Sequence, residues 1–223
     1  MTDFSNKRVG VVLAGSGVFD GSEIHEATIT LLELDKAGAK IVCMAPNVPQ
    51  AHVMDHSTST EESDEKRNVL VESSRIARGD IRDMKDVGAD EIDALVFPGG
   101  FGAAKNLCTF AFDGVNCKVN SEVDRLIREM HSAGKPQGFI CIAPVIAAKV
   151  LGSHQPELTI GNDAGTASAI EEMGGKHLDR PVDDCCVDHK NKIVTTPAYM
   201  LGPSISEVAK GIGKCVRQVL DLA

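Results

Sequence analysis

Three consecutive segments near the start of the chain set what it can become. Residues 8–14 (RVGVVLA) are a compact β-branched run closed by Gly15-Ser16-Gly17. Residues 23–37 follow, with Ile24, Ala27, Leu31, Leu34 and Ala37 at helical spacing and Gly38 as a stop signal. Residues 40–45 (KIVCMA) make a second apolar run, closed by Pro46. Strand, helix and strand in this order form a βαβ unit, which requires a parallel sheet and a right-handed crossover. The pattern then continues. A polar excursion over 47–66, with room for a short strand of its own, leads into a helical stretch at 67–77. An apolar run at 93–97 ends in Pro98-Gly99-Gly100, and an amphipathic helix at 122–133 stops at Gly134. The run 137–141 turns directly into a helix at 143–151. Two further strands, at 185–187 and 193–196, and a closing helix at 204–222 complete an α/β sandwich. Composition shifts nowhere sharply enough to divide residues 1–223, so one domain is expected.

Charge and composition exclude several classes of function. With 32 acidic against 23 basic residues, no Trp and a single Tyr, the chain lacks the basic clusters and stacking platforms of nucleic-acid binding. No window approaches ~20 apolar residues, so no membrane span is expected. The N-terminus carries neither an apolar signal core nor an Arg-rich transit pattern, which reads as a cytoplasmic protein with reduced thiols. Seven cysteines, odd in number and unevenly spaced, do not form a disulfide framework.

One of the seven has a special place. Cys141 falls where a buried strand turns into a helix, the setting of a nucleophile elbow. The helix N-terminus behind it favours a thiolate, and Pro144 suits the first helical turn. The alternative is a buried Cys acting as a small hydrophobe. Gly99-Gly100 allows close backbone approach and a free N–H for an oxyanion, or else is simply a tight turn. Glu23 and Glu26, in the first turn of the first helix, belong to the same end of the sheet and are candidate bases; helix dipoles alone also favour acids there.

Four segments carry a family resemblance: GVFDGSEIHE (17–26), FPGGFGAAKNL (97–107), GFICIAP (138–144) and KIVTTPAYM (192–200). They resemble the ElbB family, a branch of the class I glutamine amidotransferase-like superfamily beside PfpI-type proteases and the parkinsonism-associated deglycase. The resemblance implies a flavodoxin-like three-layer sandwich with a mostly parallel central sheet and Cys141 as the elbow nucleophile. It implies Glu26 as the acidic partner, with Glu23 as the fallback, and the N–H groups of Gly100 and Ile142 as the oxyanion hole. It also implies glutathione-independent glyoxalase activity, an association with isoprenoid production, and a homodimer. The chain departs from its wider relatives in its imidazoles. Ile142 stands where PfpI-type proteases carry His, residues 158–161 hold no His, and Thr196-Pro197-Ala198-Tyr199 replaces the His–Glu pair of amidotransferases. His25 is the local imidazole, and with Glu23 and Gly99 it is expected near the substrate.

Other constellations carry less. Gly15-Ser16-Gly17 with Gly21 is one residue too long for a dinucleotide fingerprint, and no acidic residue ends the second strand. His52 and His56 could bind a metal together only on a helix, so no metal is expected. The expected activity is Cys-dependent conversion of glyoxal or methylglyoxal to hydroxy acids, without a cofactor. The alternative is a low-turnover redox-responsive or accessory protein using the same Cys as a sensor, and amide hydrolysis comes last.

Overall fold

The computed structural model describes residues 4–223. In chain order, β1 (Arg8–Val12) leads through a glycine-rich loop to α1 (Ile24–Lys36) and β2 (Lys40–Ala45). The polar excursion carries a small hairpin, β3 (Met54–Asp55) and β4 (Thr60–Glu61), before α2 (Val69–Ile76) and the edge strand β5 (Arg82–Asp83). Then come β6 (Ala94–Phe97), α3 (Phe101–Lys105), α4 (Phe110–Asp113), α5 (Ser121–Ser132), β7 (Gln137–Ile140) and α6 (Pro144–Leu151). The last part holds β8 (Glu157–Leu158), α7 (Ala164–Glu172), β9 (Lys176–His177), β10 (Cys186–Asp188), β11 (Ile193–Thr196) and α8 (Ile205–Asp221). The expected boundaries hold to within a few residues. The two-residue strands and α7 escape the sequence pattern because each is too short or too weakly amphipathic to show a period.

Seven strands form one sheet in the order β10-β11-β7-β6-β1-β2-β5, all parallel except β10 against β11. Side chains alternate across it, as the strand period requires. Val9, Val11, Ala94 and Val96 pack toward α1 and α8 on one face. Val12, Leu95, Phe97 and Phe139 pack toward the opposite layer with residues of α3, α5 and α6. Phe97 and Phe139 stack at 4.8 Å between ring centroids and carry the second core across β6 and β7. The result is the three-layer, mostly parallel flavodoxin-like sandwich expected from the sequence.

The chain starts in β1, fills the β2–β5 side, then returns past β1 to build β6 and β7. Strand order therefore reverses between β1 and β6. In open parallel sheets, ligands collect at the carboxyl ends of the strands beside such a reversal. The Gly15–Ser22 loop, the Pro98–Gly100 turn and Cys141 all lie at that end. Asn106 holds the loop in place: its amide donates to Ala14 O and Asp20 O, and its carbonyl oxygen accepts from Ala51 N in the excursion. Ala14 N donates to Ser22 Oγ, which closes the loop onto the first turn of α1.

Candidate active site

Cys141 is the residue after β7, and its backbone is in the left-handed region with φ +62°. That conformation is costly for a residue bearing a Cβ, and it persists where surrounding structure enforces it. Here Cys141 N donates to Thr196 O at 2.9 Å, tying the elbow to the end of β11. Pro144 then opens α6, as the sequence suggested. Two residues beyond Thr196, Ala198 is also left-handed, with φ +44°. Two non-glycine residues in the left-handed region thus follow neighbouring strand ends.

Glu26 reaches the same point from α1. It is wholly buried and hydrogen-bonds the Cys141 side chain. Its two oxygens are held by main chain: Oε2 accepts from Gly99 N at 3.0 Å, and Oε1 from Tyr199 N at 3.2 Å. Burial raises its carboxyl from the ordinary 4.5 to about 8, and the nearby charge of Glu23 adds to the rise. The N–H groups and the thiol pull in the opposite direction and do not win. Glu23 has a different task. It caps α1, accepting from Glu26 N at 2.7 Å, while its own N–H donates to Gly99 O.

The sulfur faces the N–H groups of Gly100 and Ile142, both of which favour its charged form. Burial and the Glu26 carboxylate outweigh them, and the thiol is pushed well above its ordinary value. This corrects the sequence expectation of an exposed, acidified cysteine: Cys141 is 7% exposed and neutral at rest. The helix N-terminus acts in the expected direction, but a buried anion beside a second acidic group costs more than one helix end returns.

Gly99 and Gly100 are required by space. A Cβ at Gly99 would strike Cys141 Cβ and lie 2.5 Å from Glu26 Oε2. Gly100 has φ +96°, and a Cβ there would meet the backbone of the Gly21–Glu23 segment. The structure thus brings Cys141, Glu26, Gly99, Gly100 and Ile142 to one point, with Glu23 one turn away. His25 does not join them. Its Nδ1 is 2.7 Å from Tyr199 Oη and 3.9 Å from Glu23 Oε1, on the exposed side of α1. Among the described residues no imidazole hydrogen-bonds Cys141.

Tyr199 and Ala198 were not singled out as site residues, because they act through main chain, which residue type does not report. The signal available was position: both follow the end of a strand adjoining β7. His52 and His56 sit in the hairpin region rather than on a helix and turn to different neighbours. His52 contacts Phe112 and Lys105, and His56 stacks on Phe19. No metal-binding group of side chains occurs among the described residues, and no helix among them is long and apolar enough to cross a membrane.

Comparison with known proteins agrees with this fold. Residues 12–200 match the DJ-1/PfpI family model. A human protein named glutamine amidotransferase-like class 1 domain-containing protein 3, mitochondrial, is 52% identical over 96% of this chain and 83% of its own length. The zebrafish ES1 protein, mitochondrial, is 36% identical over 99% of this chain and 87% of its own. A rat ES1 homologue at 50% identity is also named mitochondrial, and these three relatives overturn the expectation of a cytoplasmic protein. Among solved structures, an isoprenoid biosynthesis protein with an amidotransferase-like domain from Ehrlichia chaffeensis superposes with TM-score 0.89 at 38% identity, covering 97% of this chain and all of that one. Drosophila DJ-1beta, at 20% identity and TM-score 0.54, shares the fold. On the family match and these relatives, the chain belongs to the DJ-1/PfpI family, with the class I glutamine amidotransferase-like fold.

Proposed function

We propose that this protein is a Cys-dependent, glutathione-independent glyoxalase-type enzyme of the ElbB branch, converting small dicarbonyls such as glyoxal and methylglyoxal to hydroxy acids. The observation that carries this reading is the Cys141–Glu26 contact with two N–H groups on the sulfur and, among the described residues, no imidazole hydrogen-bonded to it. Amide hydrolysis needs a group to protonate a leaving amine, whereas isomerisation of an aldehyde adduct needs only a base that takes and returns a proton. The branch assignment is supported by the likeness to the Ehrlichia isoprenoid biosynthesis protein.

In the proposed cycle Glu26, as carboxylate, takes the Cys141 proton while sulfur adds to the aldehyde carbon. The N–H groups of Gly100 and Ile142 hold the resulting oxyanion. Glu26 passes that proton to the oxyanion, which gives the neutral hemithioacetal and leaves Glu26 a carboxylate again. It then removes the hydrogen from that carbon to give an enediolate, the hydroxyl proton moves to the neighbouring oxygen, and Glu26 returns its proton to the neighbouring carbon, leaving a 2-hydroxy thioester. Water hydrolyses the thioester and releases glycolate or lactate with regeneration of the thiol. The residues supply every proton transfer without a cofactor. Purified protein should consume glyoxal and form glycolate, and both Cys141→Ser and Glu26→Gln should lose roughly a hundredfold or more of that rate. Unchanged turnover in Cys141→Ser would sink the mechanism.

The second reading is an accessory role beside isoprenoid biosynthesis, favoured by the description of the Ehrlichia neighbour. It predicts wild-type protein with no turnover on any dicarbonyl. Use of Cys141 as a readily oxidised sensor fits less well, because the buried thiol is held in its less reactive neutral form. A homodimer also belongs to this proposal, with sedimentation velocity as its measurement.

A further inference from the structure

Two cysteines that look unremarkable in the sequence meet in the fold, away from Cys141. Cys108 follows α3 and bridges antiparallel to Val119, with Thr109 N donating to Lys118 O and Asn120 N to Leu107 O on either side. In such a ladder the residue two before Val119 lies on the same face as Cys108, at the diagonal position. That residue is Cys117. The two side chains interact directly, and Cys108 Sγ donates to Ala103 O at 3.3 Å. Both side chains are buried, at 3% and 2% exposure, yet the segment between them, α4 and a 3-10 turn at Gly114–Asn116, lies at the surface: Ala111, Phe112, Asp113 and Asn116 are exposed. Each cysteine is a free thiol.

We propose that Cys108 and Cys117 form a hydroperoxide-oxidisable dithiol site that closes reversibly to an intramolecular disulfide, independently of Cys141. Cys117 is the attacking thiol. The neighbouring Cys108 thiol and the Lys149 ammonium, anchored on Val115 O at 2.8 Å, pull its pKa down to about 7 against burial and the opposing charge of Asp113. Cys108 moves the other way and stays protonated. Cys117 thiolate attacks the distal peroxide oxygen, giving a sulfenic acid; the O–O bond breaks and the other oxygen leaves as water or alcohol. Cys108 sulfur then attacks the sulfenic sulfur, the S–O bond breaks, and the departing hydroxide takes the Cys108 proton as water. Two thiols lose two electrons and one hydroperoxide gains them. The cross-link pins the loop between Cys108 and Cys117 to the strand pair flanking it. Through α3 that strand pair continues from the Gly99–Gly100 turn, and through Lys149 the loop touches α6.

The test uses full-length protein carrying Cys141→Ser, exposed to hydrogen peroxide at a small molar excess, then denatured, alkylated and digested with trypsin without reductant. The fragment 106–118 contains both thiols. The expected result is this fragment lighter by two hydrogens and unalkylated, with dithiothreitol restoring two alkylatable thiols. The same fragment from Cys108→Ser protein should show no loss of hydrogens and should carry its oxidation on Cys117. Two alkylated thiols in the fragment after peroxide, oxidation stopping at separate sulfinic acids, or disulfides joining either residue to another cysteine instead would overturn the proposal. The first measurement needs no substitution in the pair, so a poorly folding Cys108→Ser leaves it decisive.

Discussion

The pair of acidic groups on which the site rests holds one proton more than ordinary chemistry would allow at neutral pH. Glu26 at about 8 is mostly a neutral acid near pH 7, while the proposed cycle begins from its carboxylate. The rate at low substrate should therefore rise about tenfold per pH unit below 8 and flatten above it. A pH–rate profile of kcat/KM that was flat from 6 to 9 would detach Glu26 from proton transfer. Stability should move the other way. A carboxyl whose pKa is raised by folding favours the protonated fold, so its contribution is complete below about 4.5 and is lost as pH climbs through about 8. Glu26→Gln removes that loss, and its melting temperature relative to wild type should climb across the same interval. The pH trend is the readout, because Gln also exchanges one acceptor oxygen for a donor and shifts the baseline. Gly99→Ala places a methyl group against Cys141 and Glu26, and dicarbonyl turnover should fall by an amount similar to that of Glu26→Gln. At this scale the sequence was informative about Cys141, Glu26 and the glycine pair, whose residue types carry their chemistry. It misjudged the resting state of Cys141 as a thiolate, since burial is a property of the finished fold. It was silent on Tyr199 and Ala198, whose contribution is an N–H and a backbone angle.

Elements were legible in proportion to their length. The 13-residue α1 and the 17-residue α8 show clear periods, and their predicted ends differ from the observed ones by a residue. The two-residue β5, β8 and β9 could not, because a strand that short holds no alternation to read. The glycine-rich loop after β1 belongs between these cases. Gly15 and Gly17 have positive φ and the loop packs tightly on itself, where a Cβ at Gly21 would strike Gly15 and Ser16, while Gly102 leaves no room against Ala14 and Gly21. Asn106 is the element-level support that spacing could not reveal, since its three partners come from two distant stretches of chain, the glycine-rich loop and the polar excursion. Asn106→Leu strands two carbonyls and an N–H in a nearly closed environment. It should cost about 2–4 kcal/mol in urea unfolding, more than a lone hydrogen bond. A cost under ~1 kcal/mol would mean that the loop stands without it.

Across the whole molecule, both cores are built on the same strands, so neither face can come apart while the other stays intact. We expect calorimetry to give one transition with equal calorimetric and van't Hoff enthalpies, as a single cooperative domain over residues 1–223 requires. Two resolved transitions would divide the chain. The sheet architecture was readable because a βαβ start leaves few topologies, but the compartment was not, and it was the named relatives that corrected it. The sheet order carries one last consequence. It ends on β5, a two-residue Arg82–Asp83 strand, and on β10, only three residues long. Edges so brief, one of them made wholly of charged residues, offer little template for another chain to zip onto. The apolar central strands are thus fenced off from intermolecular pairing, so copies that associate should do so through helices and loops. Concentrated solutions should stay free of the cross-strand aggregates that open parallel sheets otherwise invite.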